Sequence, residues 1–191
     1  MTSKADTALL LRAIAFAADR HRKKPRKDRA KTPYINHPID VASRLANTGG
    51  VQDIDVLVAA VLHDTIEDTK TTADELDTEF GERVRSLVLE VTDDKNVEKE
   101  ERKQRQAEHA PHLSPSAKLI KLADQTSNIT DIALTPPHDW PLERRRDYVD
   151  WAERVAAGCR GVNPELDAAF DQALQRARKV LASQHQVTDA L

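Results

Sequence analysis

An apolar helix that runs straight into charge constrains this chain more than any other feature. Leu57, Val58, Val61 and Leu62 repeat at helical spacing, with Ala59 and Ala60 small enough for close packing. The segment VLHDTIEDT then delivers His63, Asp64, Glu67 and Asp68. His63 and Glu67 are four residues apart, as are Asp64 and Asp68, so on one continuous turn of helix each pair shares a face. A helix this apolar belongs in a core, and its polar end goes in with it. Burying one His and three carboxylates unpaired costs several kcal/mol per charge. A divalent cation among them offsets that cost.

The rest of the chain also reads as helix. Only 5 Gly and 4% aromatic residues, with abundant Ala, Leu, Arg, Glu and Asp, favour helix over sheet. Ser3 with Asp6 predicts a helix start, and Leu10, Ile14, Ala17 and Ala18 keep one apolar face. That helix is expected to end near the basic island, where Pro25 intervenes. Pro38 places His37 at a helix entrance, with Ile39, Val41, Ala42 and Leu45 packing inward until Gly49-Gly50 stops it. Asp53 caps the apolar helix, and Thr72 with Glu75 forms a capping-box pattern. Val84, Leu87, Val88 and Val91 mark another buried face, residues 93–109 an exposed charged helix, and Ser114-Pro115 a helix that carries Asp124 inward. Pro136-Pro137 breaks the chain, and Pro141 and Pro164 open two final helices. The expected architecture is all-α, a compact multi-helix bundle with room for one short β-hairpin. At 191 residues it suits one domain, residues 1–191.

Charge is unevenly spread. Residues 20–31 (RHRKKPRKDRAK) hold eight Lys or Arg against one Asp, whereas the whole chain carries −3. A basic island on an acidic body suits a local anion site better than a nucleic-acid surface. The single cysteine, Cys159, excludes an internal disulfide and a Cys-rich zinc site and reads as a small buried hydrophobe. No stretch is apolar enough for a signal peptide or a membrane span, so a cytoplasmic setting is expected, with neither membrane nor nucleic-acid partner.

Further ligands of the same kinds lie elsewhere: His37 in TPYINHP and Asp124 in KLADQ. His37 taken alone reads as a hydrogen-bonded core residue. Together, His37, His63, Asp64 and Asp124 make a mixed nitrogen and oxygen set that suits Mn²⁺, Fe²⁺ or Zn²⁺ better than Ca²⁺. Glu67 and Asp68, one turn on, are placed to orient a water, take its proton and return one to a leaving group. In the basic island about half the side chains are expected to stay solvated. Arg26 and Lys27 stand out, because Arg both stacks on a base and binds phosphate. Tyr148 and Trp151 near Arg144, Arg145 and Arg146 form a second aromatic and basic patch, in which Trp151 reads as core. His109, His112 and His138 lie in polar, Pro-containing stretches and carry no assignment.

The motifs RKDRAKTPYINHP, VLHDTIEDT, FGERVRSLVLEVTDDK, ERKQRQ, AKLIKLADQTSN and DWPLERRRDYVDWAERV together resemble the HD-superfamily hydrolase domain of RelA/SpoT homologues. The similarity spans nearly the whole chain and is strongest to the stand-alone small alarmone hydrolases. The resemblance implies Mn²⁺ held by His37, His63, Asp64 and Asp124, with Glu67 and Asp68 activating water. It places Arg26 and Lys27 beside the base, and Asn128 and Tyr148 at the ribose or its phosphate. Lys99 and Arg144 would meet the pyrophosphate. The implied reaction removes the 3′-pyrophosphate of guanosine 3′-diphosphate 5′-di- or triphosphate, giving GDP or GTP. After such a domain the chain leaves no room for a synthetase region, so hydrolysis without synthesis is expected. Relatives commonly read KLADK or KLADR, whereas this chain has Gln125, Thr126 and Ser127, which removes a positive charge and shrinks the wall beside Asn128. Three other readings follow. Two are related phosphohydrolases, acting on adenosine alarmones or on the 2′-phosphate of NADPH. The third, a non-catalytic helical module binding RNA through residues 20–31, has no use for Glu67 and Asp68.

Overall fold

Ser3 begins the first helix, α1 (Lys4–Arg20), through a reciprocal cap. Its hydroxyl accepts from the Asp6 N–H, and the Asp6 carboxylate accepts from the Ser3 N–H. The computed structural model describes residues 3–188, with side chains described as far as residue 184. Ala13 and Ala17 are fully buried, and these small residues let α1 lie close on α3 (Ile54–Leu62).

Beyond α1 the basic island folds back on itself. Pro25 and Pro33 form one isolated antiparallel bridge, in which Arg26 N–H donates to Thr32 C=O and Tyr34 N–H to Lys24 C=O. Asp28 is buried beneath it and accepts from the Thr32 N–H. The hairpin that the sequence leaves room for goes no further, and no strand occurs among the described residues. Proline at both paired positions removes the donors a ladder needs.

Helix α2 (Asn36–Ser43) continues into a π-type turn, Arg44–Thr48. Gly49 then passes so close to Leu166 that a Cβ there would come within 3.0 Å of it. Val41 and Leu45 are fully buried, but Ile39 is 40% exposed, contrary to expectation. Residue 39 lies two positions before 41, about 200° round the helix, so the two cannot share the buried face.

Helix α3 starts at Asp53, whose side chain accepts from the Asp55 N–H, and Val56–Leu62 are all buried. It ends at Leu62, one residue earlier than the His–Asp pair requires for a continuous helix. His63 and Asp64 form a turn, the Thr65 hydroxyl takes up the Leu62 carbonyl, and α4 (Thr65–Asp68) adds one further turn. The polar cluster therefore sits at a helix break.

Helix α5 (Ala73–Phe80) is capped by Thr72, although Glu75 pairs with Arg20 instead of closing the box. Gly81, at φ +89°, supplies the left-handed residue before α6 (Glu82–Val91). Helix α7 (Lys99–His109) buries none of its residues and is tied down by the Trp151 indole N–H donating to Lys103 C=O at 2.9 Å. Helix α8 (Pro115–Leu134), capped by Ser114, is the axis of the fold. It packs on α2, α3, α6, α9 (Leu142–Cys159) and α10 (Pro164–Thr188). Cys159 is fully buried, and burial pushes its thiol up to about 11.

Leu122 sits on α8 with no exposure. Leu122→Ala is expected to cost about 2–5 kcal/mol, against about 0.5 kcal/mol or less for Ile39→Ala, as read by urea unfolding.

Candidate metal centre and nucleotide cleft

Three elements converge on one point. Helix α2 brings His37, the break after α3 brings His63 and Asp64, and α8 brings Asp124. One donor atom each from His37, His63 and Asp124 lie within 4.8 Å of one another, the span of a donor set for a single ion. His37 Nε2 is 3.1 Å from Asp124 Oδ1. Asp64 stands beside this group, its Oδ2 3.2 Å from His63 Nε2 and 3.8 Å from His37 Nε2.

Each candidate ligand is held from behind. His63 Nδ1 donates to the Ala60 carbonyl at 2.8 Å, which directs Nε2 at the carboxylates. That Nε2 is buried without a hydrogen bond, since the Asp64 oxygen is near but not aligned. His37 Nδ1 meets the Ser127 hydroxyl at 3.2 Å, and Asn128 donates to Asp124 Oδ1 at 2.7 Å. The Tyr34 hydroxyl donates to Asp64 Oδ2 at 2.5 Å. An unpaired, buried imidazole nitrogen facing two carboxylates is what a divalent cation satisfies, so the residues fit one.

Without an ion the cluster balances itself with protons. Burial disfavours charge on His63, but Asp64 and Asp124 outweigh it and raise its pKa to about 9. Burial likewise opposes ionisation of Asp64 and Asp124, yet the two imidazoles hold both below the usual carboxylate range. The neighbouring acids diverge. Burial, with Asp64, Asp93 and Asp68 nearby, raises Glu67 to about 7. Asp68 suffers the same burial and the same Asp64 charge, but Lys24 and Lys95 both bind it and lower it.

A cleft of about 770 Å³ opens onto this cluster. Its walls include Lys24, Arg26, Lys27, Asn128, Trp140 and Tyr148, with Glu67 and Asp68 at its floor. Asp124, Ser127, Asn128 and Asp131 form one stripe of α8, so the helix serves ion and cleft with the same face. Arg26 binds Asp131 at 2.5 Å and reaches Asn128 at 3.3 Å. The Arg144 guanidinium lies 4.2 Å from the Trp140 ring centre and the Lys27 ammonium 5.9 Å from it. Burial, Arg144 and Lys24 together lower the Lys27 pKa.

Of the residues singled out from sequence, His37, Asp64, Glu67, Asp68, Arg26, Lys27, Asn128 and Tyr148 line this cleft, with His63 and Asp124 behind it. Arg144 stands at its edge through Trp140. Lys99 is elsewhere: with Arg144 it lines a separate surface cleft beside Trp151. Gln125 is 2% exposed and touches Asp124 from behind, at 3.4 Å, so it is no part of the cleft wall. Lys24, Tyr34, Lys95, Asp131 and Trp140 carry no role in the sequence reading. Tyr34 lies inside TPYINHP and Lys24 inside the basic island, and those are the signals that mark them.

The HD domain family profile matches residues 13–150. The chain belongs to the HD domain family. Among its HD relatives, guanosine-3′,5′-bis(diphosphate) 3′-pyrophosphohydrolase MESH1 of Xenopus tropicalis is 51% identical over 166 residues, 87% of this chain and 93% of the relative. The Homo sapiens protein of the same name is 52% identical over 165 residues, 86% and 92% of the two chains. A solved metazoan orthologue of SpoT, described as hydrolysing ppGpp, superposes with a TM-score of 0.86 at 42% identity, covering 88% of this chain and 95% of that one.

The His63 shift gives a pH test. Its folded pKa, about 9, exceeds the unfolded value of 6.5, so this contribution to stability is full below pH 6.5 and lost as pH rises through about 9. Glu67, also raised, acts in the same direction at lower pH. Metal binds the neutral imidazole and competes with the proton. Melting in chelator should therefore fall between pH 6.5 and 9, while the gain in Tm from added Mn²⁺ grows over that interval. A metal-free Tm that rises over this range would contradict the assignment.

Proposed function

We propose that this chain, residues 1–191 acting as one domain, is a metal-dependent (p)ppGpp 3′-pyrophosphohydrolase. The reading is carried by one arrangement: a buried His37–His63–Asp124 donor set with Asp64 beside it, adjoining a cleft that His37 and Asp64 line together with Lys24, Arg26 and Lys27. The named activity of relatives at about half identity over most of the chain supports it. Mn²⁺ is the proposed ion, held by His37, His63, Asp64 and Asp124. When bound it supplies Lewis acidity, lowering the pKa of a water and offsetting phosphate charge.

The chain's own groups provide the rest. Water adds to the phosphorus that carries the ribose 3′ oxygen, the bond to that oxygen breaks, and pyrophosphate leaves as the product. Glu67, with a pKa near 7, is suited to take the water's proton and return one to the ribose oxygen. Asp68, kept ionised by Lys24 and Lys95, orients that water. Lys24, Arg26 and Lys27 offset phosphate charge, while Trp140 and Tyr148 offer flat faces to base and ribose. The substrate is a small nucleotide, and the setting proposed is the cytoplasm. No described helix is long and apolar enough to cross a membrane.

The deciding experiment offers ppGpp, ppApp and NADPH with Mn²⁺ and identifies the products. Pyrophosphate from ppGpp, lost on chelation and in Asp64→Ala, is expected. Brisk metal-dependent turnover that yields only orthophosphate would overturn the reading. Glu67→Gln should lower kcat by about 10²–10⁴-fold while leaving Mn²⁺ affinity close to that of the parent. Lys27→Ala should raise KM for ppGpp, and Lys99→Ala, outside the cleft, should change it little. Steady-state kinetics on the two variants separates them.

A further inference from the structure

His21 is a buried imidazole outside the donor set. It closes the C-terminus of α1, is 3% exposed, and neither ring nitrogen has a hydrogen-bond partner among the described residues. Its flat face is what it offers. The ring stacks on Tyr34 with centroids 4.7 Å apart and planes tilted by 33°.

Tyr34 is the residue that holds Asp64. The other donors are steadied by the Ala60 carbonyl for His63, the Ser127 hydroxyl for His37 and the Asn128 amide for Asp124. Asp64 depends on a phenol whose ring also lies 4.0 Å from the Lys24 ammonium and 5.6 Å from the Arg26 guanidinium. Those two side chains line the cleft, whereas the His21 ring packed on Tyr34 is buried at the end of α1. Burial keeps His21 neutral, so it adds no third cation beside Lys24 and His63.

We propose that His21 is a positioning residue for the metal centre: its ring face fixes Tyr34, and Tyr34 fixes Asp64. The chain of contacts runs from the end of α1, through the basic loop, to the break after α3.

Mn²⁺ titration calorimetry on the full chain, without substrate, tests this apart from the alarmone reading. Circular dichroism and melting in chelator check that each variant is folded. Tyr34→Phe and His21→Leu should each weaken Mn²⁺ binding by about 10-fold or more. The double variant should be no weaker than Tyr34→Phe alone, because both changes break one chain of contacts. His21→Phe, which keeps the flat face, should stay within about threefold of the parent. Additive losses in the double variant would overturn the proposal, and so would parental affinity in Tyr34→Phe. A folded His21→Phe that loses as much as His21→Leu would also overturn it, since the nitrogens rather than the face would then matter. If His21→Leu does not fold, His21→Ala takes its place in the same double-variant comparison.

Discussion

Two imidazole nitrogens and two carboxylates face one another in the interior, and the fold is arranged to make that tolerable. Charges this deep are expensive unless each has a partner. The Ala60 carbonyl commits His63 Nδ1 as donor, so Nε2 points inward, toward either a proton or an ion. Helix α3, buried from Val56 to Leu62, anchors that imidazole from below, and α8 supplies Asp124 from the opposite side. In the proposed metal centre the same four groups accept two occupants. Protons hold them together when no ion is present, and an ion displaces those protons. Stability and metal loading become one equilibrium.

Around that cluster two adjacent acids are pushed apart. Glu67 and Asp68 share one turn, similar burial and the same neighbour in Asp64, yet only Asp68 is gripped by Lys24 and Lys95. Lys95 comes no closer than 3.9 Å to Glu67. One acid is left near neutrality and the other fully ionised, the arrangement from which separate acid–base and orienting roles arise. The cleft wall connects to the ion through a second route, since Asp131 holds Arg26, Arg26 reaches Asn128, and Asn128 donates to Asp124. A ligand that draws Arg26 away from Asp131 acts on the hydrogen bond that steadies a metal donor.

Much of this is legible in the sequence where a local rule operates. The caps at Ser3, Asp53 and Ser114 appear as their residue types require, and the apolar spacing of Val84, Leu87, Val88 and Val91 matches the buried face of α6. Clustering of His37, His63 and Asp124 follows from matching donor chemistry rather than spacing. What local rules miss is tertiary. The break at His63-Asp64 has no Gly or Pro to announce it; it follows from Thr65 taking the Leu62 carbonyl and from ring and carboxylate turning toward α2 and α8. Lys95 and Lys99 are equivalent as residues in a charged stretch, and only the path of the loop before α7 decides which reaches Asp68.

The departure after Asp124 shows why placement matters more than identity. On sequence alone Gln125 stands where the resemblance leads to the expectation of a cation, which suggests a changed cleft wall. Its position on α8 turns it into the core, against Asp124 and away from the cleft. Ser127 does face the cleft, but its hydroxyl is engaged with His37. Beyond its cations and the metal-side groups, the cleft wall includes Asp131, Ile132, Trp140 and Tyr148. Of these, Asp131 alone carries charge, and Arg26 already occupies it.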